Sequence, residues 1–139
     1  MLVLLIENRR LKMRYAYPAL FEPAEEGGYN VSVPDIPGCF TCADSMPEAI
    51  RMAEDALSMM LASYEDDGET IPVARTLAEI RKDDSEVSYI LADTDEWRKR
   101  FDSKAVKKTL SIPSWLNKKA EKAGVNFSQV LRDALAAIL

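Results

Sequence analysis

Apolar and polar positions alternate with a period of two over Arg14–Phe21, which puts Tyr15, Tyr17, Ala19 and Phe21 on one side. Successive side chains of an extended chain point to opposite faces, so this pattern predicts a strand. Pro18 interrupts it without an N–H to give to a ladder, which predicts an edge or a bulge there. Glu22-Pro23-Ala24-Glu25-Glu26-Gly27-Gly28 reads as a turn, and Tyr29, Val31 and Val33 alternate with Asn30 and Ser32 as a second strand. The two strands form a hairpin. Pro34-Asp35-Ile36-Pro37-Gly38 is a rigid connection to a third strand over Cys39–Ala43.

The period then changes. Ile50, Ala53, Leu57, Leu61 and Tyr64 recur at helical spacing, preceded by Ser45-Met46-Pro47-Glu48. A serine followed three residues later by glutamate predicts a capping box, with Ser45 as the cap. The helix is expected to end near Asp66-Asp67-Gly68, and Val87, Tyr89 and Leu91 mark a fourth strand. Thr94 is the expected cap of a short helix running to Phe101. The implied architecture is α+β, a β-β-β-α-β-α domain with one face of its sheet covered.

The last third repeats the change of period on a smaller scale. Val106, Lys108, Leu110 and Ile112 share one side of a short strand, with Lys107, Thr109 and Ser111 on the other. Pro113 suits a helix start, Leu116, Ala120 and Ala123 form its inner side, and Gly124 suits its end. Asn126 and Gln129 are placed to cap a second helix. Phe127, Val130, Leu131, Ala134, Leu135 and Ile138 then form a broad apolar stripe. A segment of this length cannot bury such a stripe alone, and the simplest partner is its own copy.

Charge divides the chain at the same place. Residues 13–103 hold eight Lys/Arg and twenty Asp/Glu, a net −12. Residues 104–139 hold seven Lys/Arg and two acids, a net +5, and residues 1–12 add +2 to reach the total of −5. A basic segment neutralises phosphates, whereas an acidic body repels nucleic acid and attracts a basic partner. Three parts follow: an N-terminal extension at 1–12, a body at 13–103 and a tail at 104–139 that is a candidate for pairing with its own copy and for binding nucleic acid. Met13 is itself a candidate start, and a short strand at Leu2–Ile6 is the alternative reading of the extension. No apolar stretch reaches the length of a membrane span, and the order of apolar and basic residues in 1–12 is the reverse of a signal peptide's. A cytoplasmic location is expected.

Candidate chemistry is sparse. The chain has two cysteines, Cys39 and Cys42, and no histidine. Their C-x-x-C spacing lacks the second ligand pair that a structural zinc requires. On a strand, positions three apart point to opposite faces, so both are read as structural thiols, with no metal or cofactor expected. Asp35, Asp44, Glu48, Glu54 and Asp55 are the carboxylates a metal-dependent nuclease would need, but none projects from the middle of the first strand. Imidazole-based acid–base or nucleophilic schemes are excluded by composition, and no catalytic residue is assigned.

The string from Tyr17 to Leu57, with Gly27-Gly28-Tyr29 after an acidic turn and Pro34-Asp35-Ile36-Pro37-Gly38-Cys39 after the second strand, resembles the HicB antitoxins of bacterial toxin–antitoxin pairs. The tail, a strand followed by two helices, resembles the ribbon-helix-helix family. The resemblance implies a truncated ribonuclease-H-like body that binds a HicA-type toxin, a small basic mRNA-cleaving protein. It also implies a ribbon-helix-helix homodimer on operator DNA, and body-to-body pairing into tetramers as a further level of assembly. In that family the outward strand residues read base edges; the matching positions here are Lys107, Thr109 and Ser111. The start of the second helix, Asn126, Phe127 and Ser128, would offer backbone N–H groups to a phosphate. Lys108 departs from the usual apolar inner position. No toxin-contact residue is assigned; Glu25, Glu26, Asp66 and Asp67 are the candidates. The competing readings are a solitary ribbon-helix-helix regulator whose body senses a small ligand, and a metal-dependent nuclease.

Overall fold

The computed structural model describes residues 14–139, so the expectations for residues 1–12 lie outside the described residues. The chain divides into two compact units, one ending at Ser103 and the other taking in Lys104–Leu139. The first is built from β1 (Arg14–Pro23), β2 (Tyr29–Ser32), β3 (Phe40–Ala43), α1 (Met46–Asp66), α2 (Leu77–Ile80), β4 (Glu86–Asp93) and α3 (Thr94–Phe101). Its sheet has the order β3-β2-β1-β4, with every neighbouring pair antiparallel.

β1 is the organising strand. It pairs with β4 from Arg14↔Asp93 to Phe21↔Glu86, but with β2 only from Leu20↔Ser32 to Pro23↔Tyr29. At Pro18, therefore, β2 does not reach, and a residue without an N–H is tolerated on that unpaired flank. Tyr17, Ala19, Phe21, Val31, Ile90 and Ala92 form the inner face, and α1 lays Ala49, Ala53, Leu57 and Leu61 on it. Leu57 and Leu61 are fully buried, each contributing about 1.5–3 kcal/mol by removal from water.

Two expectations change. On β4 the buried side chains are Ile90 and Ala92, while Tyr89 and Leu91 face the other way and stay largely exposed. The second sheet face is also not bare. Pro18 and Leu20 alternate with the inner residues of β1 and are nonetheless buried. The unforeseen helix α2 packs on β1 and β4 and buries Ile80. A complete capping box starts α2: Thr76 accepts from the Glu79 N–H at 3.4 Å, and Glu79 accepts from the Thr76 N–H at 2.6 Å.

The box expected at α1 is half made. Ser45 accepts from the Glu48 N–H at 3.4 Å, but Glu48 turns its carboxylate to Arg51 at 3.9 Å. The cap of α3 is Asp93, which accepts from the Glu96 N–H at 3.0 Å, and not Thr94. Thr94 lies in the first turn, fully buried, and donates to Glu65 at 3.0 Å.

The second unit contains α4 (Ser114–Lys122) and α5 (Phe127–Ile138). Pro113 is the residue before α4 rather than its first, and Gly124 follows the helix with φ +70. Asn126 caps α5, accepting from the Gln129 N–H at 3.1 Å. Here too the reciprocal bond is replaced, because the Gln129 side chain bonds Asp133 and Arg132. Neither helix has a buried residue. The strand expected over Val106–Ile112 forms no ladder among the described residues. A strand is defined by hydrogen bonds to a neighbour, and within one copy this segment has no described strand to pair with.

Candidate functional site

The six residues assigned to DNA fall in two places. Lys107, Thr109 and Ser111 lie at alternate positions of the segment before α4, all exposed. Asn126 precedes α5 as its cap, with Phe127 and Ser128 in its first turn, also exposed. The apolar residues around them are uncovered as well: Leu110 and Val130 are each more than half exposed, and Trp115 is 66 % exposed. Within the single chain these groups make no closed site.

In the body, the sequence motifs prove to be architecture. Asp35, its side chain only 6 % exposed, accepts from the Arg75 N–H at 3.0 Å and from its Nε at 2.6 Å. This clamp ties the Pro34–Gly38 turn to the segment before α2, where the Tyr17 hydroxyl donates to the Pro72 carbonyl. Burial, and then the nearby Asp35 charge, push the Tyr17 hydroxyl pKa upward. Ile36 drops into the core, and Gly38 takes φ +81. Gly28 is needed for a second reason: a Cβ there would lie 2.4 Å from the Ala43 carbonyl oxygen across the sheet.

The cysteines occupy opposite environments. Cys39 is buried, which pushes its thiol pKa up to about 11, and Cys42 is exposed. The candidate nuclease carboxylates are engaged separately. Asp55 receives Arg100 at 2.9 Å, Glu54 accepts from the Leu91 N–H at 3.4 Å, and Asp35 holds Arg75. Among the described residues, no three His, Cys, Asp or Glu side chains converge as metal ligands would.

Sequence reasoning missed a hub at the end of α1. The Glu65 carboxylate accepts from the Tyr15 hydroxyl at 2.7 Å, from Thr94 Oγ1 at 3.0 Å and from Arg98 Nη1 at 2.8 Å. Arg98 also donates to Asp66 at 2.8 Å and to the Ala62 carbonyl at 3.1 Å. Burial, reinforced by Glu65, pushes the Tyr15 hydroxyl up to about 12. Burial alone would lower the Arg98 pKa, but its bonds to Glu65 and Asp66 outweigh that and raise it. Three charges spread over sequence distances of about thirty residues leave no periodic trace, so no local pattern announces them.

The toxin-contact candidates also separate. Asp66 is taken by Arg98, and Asp67 follows α1 as its C-cap. Glu25 and Glu26 line an open cleft of about 800 Å³ together with Asp44, Glu48, Cys42 and Met52. Among the described residues, no helix is long and apolar enough to cross a membrane.

A four-stranded antiparallel sheet with a long helix on one face, in a unit of net negative charge, and a basic helical unit define a two-unit protein of mixed α/β class. The family model for the HicB-like antitoxins of bacterial toxin–antitoxin systems matches residues 17–136. The chain belongs to that family. It is 51 % identical over 57 residues to Antitoxin HicB 1 of Photorhabdus laumondii, a match over 41 % of this chain and 37 % of that protein. Antitoxin HicB of Escherichia coli K12 is 43 % identical over 61 residues, 44 % of either chain. An uncharacterised 14.9 kDa protein of Haemophilus phage HP1 is 30 % identical over 100 residues, 72 % of this chain and 74 % of that one. The matches to the two antitoxins thus span less than half of each relative's length. Among solved structures, a chain of a toxin–antitoxin complex from Streptococcus pneumoniae superposes with a TM-score of 0.59 at 28 % identity, over 89 % of this chain and 98 % of that one. The Burkholderia pseudomallei antitoxin HicB shares the fold, with a TM-score of 0.51 at 22 % identity, over 87 % and 96 % of the two chains.

Proposed function

We propose that this chain is an antitoxin with two separable activities. Residues 13–103, a truncated ribonuclease-H-like domain, bind and neutralise a HicA-type mRNA-cleaving toxin. Residues 104–139 pair with a second copy as a ribbon-helix-helix domain and repress the chain's own operon. The observation that carries the reading is the tail. Its α5 stripe is largely exposed, its predicted strand has no ladder partner among the described residues, and its net charge is opposite to that of the body. Pairing the 106–112 segments of two copies would form a ribbon and bury both stripes together. Lys107, Thr109 and Ser111 would then face the major groove, with the starts of the two α5 helices on phosphates. The toxin half is supported by family membership and by the likeness to a chain of the Streptococcus pneumoniae toxin–antitoxin complex. An acidic body also suits a partner that must itself be basic to grip RNA.

The test combines sizing with DNA binding. The chain is expected to elute as a dimer or larger and to shift a duplex carrying its own promoter at low salt. Replacing Lys107 and Thr109 with Ala should abolish that shift while rescue from a co-expressed toxin persists. A monomer without affinity for promoter DNA overturns the repressor half. Failure to rescue cells from the co-expressed toxin overturns the antitoxin half.

A further inference from the structure

The two edges of the sheet are treated differently. At β4 the Leu91 N–H donates to Glu54 Oε1 at 3.4 Å and the Asp93 N–H to Ser58 Oγ at 3.3 Å. Both acceptors come from α1, so the helix closes that edge. At the other edge, β3 has β2 on one side and, among the described residues, no strand on the other. The Val33 N–H donates to the Cys39 carbonyl at 2.9 Å, and the register continues as Val31↔Thr41 and Tyr29↔Ala43. Hydrogen-bonded pairs alternate along an antiparallel ladder. Phe40 and Cys42 therefore direct their backbone N–H and C=O groups away from the sheet.

Apolar surface flanks this open edge on both faces. Phe40 is 74 % exposed on the outer face. On the inner face α1 runs beside β3. At the edge itself Met52 reaches a cavity of about 490 Å³ lined also by the outward Phe40 and Cys42, and on the inner side the Met60 methyl lies 4.0 Å from where a Cβ on Gly38 would sit. Met59, half exposed, joins Met60 in lining a further cavity of about 500 Å³. Flexible, polarisable methionines beside a free strand edge suit an adaptable contact.

The rim is acidic. Glu25, Glu26, Asp44 and Glu48 stand around the cleft at the Ala43 end with no Lys or Arg in its lining, and Asp67 and Glu69 stand by the Met59 cavity. Arg51 is the base nearest in sequence, held to Glu48 at 3.9 Å and to Asp55 at 3.8 Å. This arrangement selects between occupants. A free edge invites pairing with any extended chain, and like charge is a common defence against self-pairing. Two bodies of net −12 would bring their acidic rims together, whereas a basic chain would neutralise them.

We propose that the β3 edge and the methionine side of α1 form the docking site for a basic protein partner, which adds an extended segment to the sheet as a fifth strand. The assignment rests on the antitoxin reading above and identifies the partner with the toxin. The edge supplies main-chain hydrogen bonds, Phe40 and the α1 methionines cover alternate side chains of the incoming strand, and the carboxylates meet its Lys and Arg.

The chain carries its own reporter. Cys42 is exposed on the edge strand while Cys39 is buried, so a maleimide reads Cys42 selectively. The full-length chain is labelled alone and in complex with a catalytically inactive form of its HicA-type toxin. Cys42 is expected to react about tenfold or more slowly in the complex. Phe40→Lys is expected to weaken the complex about tenfold or more, while Leu91→Lys at the closed edge leaves affinity unchanged. An intact complex in which Cys42 reacts at the free rate, or Phe40→Lys binding as tightly as the unaltered chain, overturns the site but not the antitoxin reading. No complex at all overturns both. Slow labelling of the free chain that quickens on dilution assigns the edge to a second copy and also overturns the proposal.

Discussion

Removing the Glu65 carboxylate tests whether the body is held together by a specific polar hub or only by its apolar core. Glu65 and Arg98 keep 17 % and 25 % of their side-chain surface, so their interaction lies between the exposed and the buried limits. A hydrogen bond to a charged group contributes about 1.5–3 kcal/mol, and an exposed ion pair about 0–1 kcal/mol. In Glu65→Ala, Arg98 keeps Asp66 and the Ala62 carbonyl, so its charge is not stranded. The Tyr15 hydroxyl loses its acceptor. The expected loss is about 3 kcal/mol, and a shift of about 4–8 °C per kcal/mol for a domain of this size puts the fall in Tm near 15 °C. Glu65→Gln is the discriminating variant. Tyr15 and Thr94 share Oε1, so an amide oxygen can serve both, while the amide NH2 would oppose Arg98 Nη1. About half the loss is expected, with Tyr15→Phe costing about 1 kcal/mol. Scanning calorimetry of the full chain, following the transition of the body, measures all three. Equal losses for Glu65→Ala and Glu65→Gln, or losses below about 0.5 kcal/mol for both, would refute the hub and leave an ordinary surface ion pair.

Two further perturbations probe the same unit. Gly27 and Gly28 both have positive φ, but a Cβ on Gly27 meets open space while one on Gly28 meets the Ala43 carbonyl oxygen at 2.4 Å. Gly27→Ala should cost about 1 kcal/mol of backbone strain and Gly28→Ala at least about 3 kcal/mol, read by urea denaturation; similar costs would deny the close approach. Tyr15 has a folded pKa raised from 10.0 to about 12, so its contribution is fully present below pH 10.0 and is lost as pH rises through about 12. Denaturation midpoints should therefore fall across that window in the unaltered chain and less steeply in Tyr15→Phe; parallel pH profiles would refute the assignment.

What could be read from the chain follows the range of the interactions. β1, β2 and α1 carry periodic apolar positions within ten to twenty residues and emerged from pattern alone, whereas β3 was placed by the rigid Pro34–Gly38 connection before it. The segment between Gly68 and Glu86 has no such period. Its helix α2 is four residues long and is specified by a local capping box and by Ile80 packing on the sheet. β4 was legible as a strand, but Val87, Tyr89 and Leu91 mark its outward side, because Ala92 is too small to signal an inner face. The half-made caps at Ser45 and Asn126 show the same limit: the motif identifies the helix start, while Arg51 and Asp133 decide where the returning side chain goes. The Pro34–Cys39 string was legible as a family signature. Its physical content, the Asp35–Arg75 clamp, needed a partner forty residues away.

The unburied tail and the open β3 edge look alike as defects of a single chain, yet they differ in how a second copy would meet them. The tail is apolar along α5 and basic along its predicted strand, and phosphate would neutralise that repulsion when two copies pair on DNA. The β3 edge is ringed by carboxylates, so the acidic body of a second copy would meet repulsion there. Opposite charge would therefore suit the two surfaces to different partners, phosphate at the tail and a basic chain at the edge. Under the proposed function, repression would then depend on chain concentration, because the tail would bind DNA only as a dimer. Capture of the toxin would instead depend on a body that needs no second copy to present its edge.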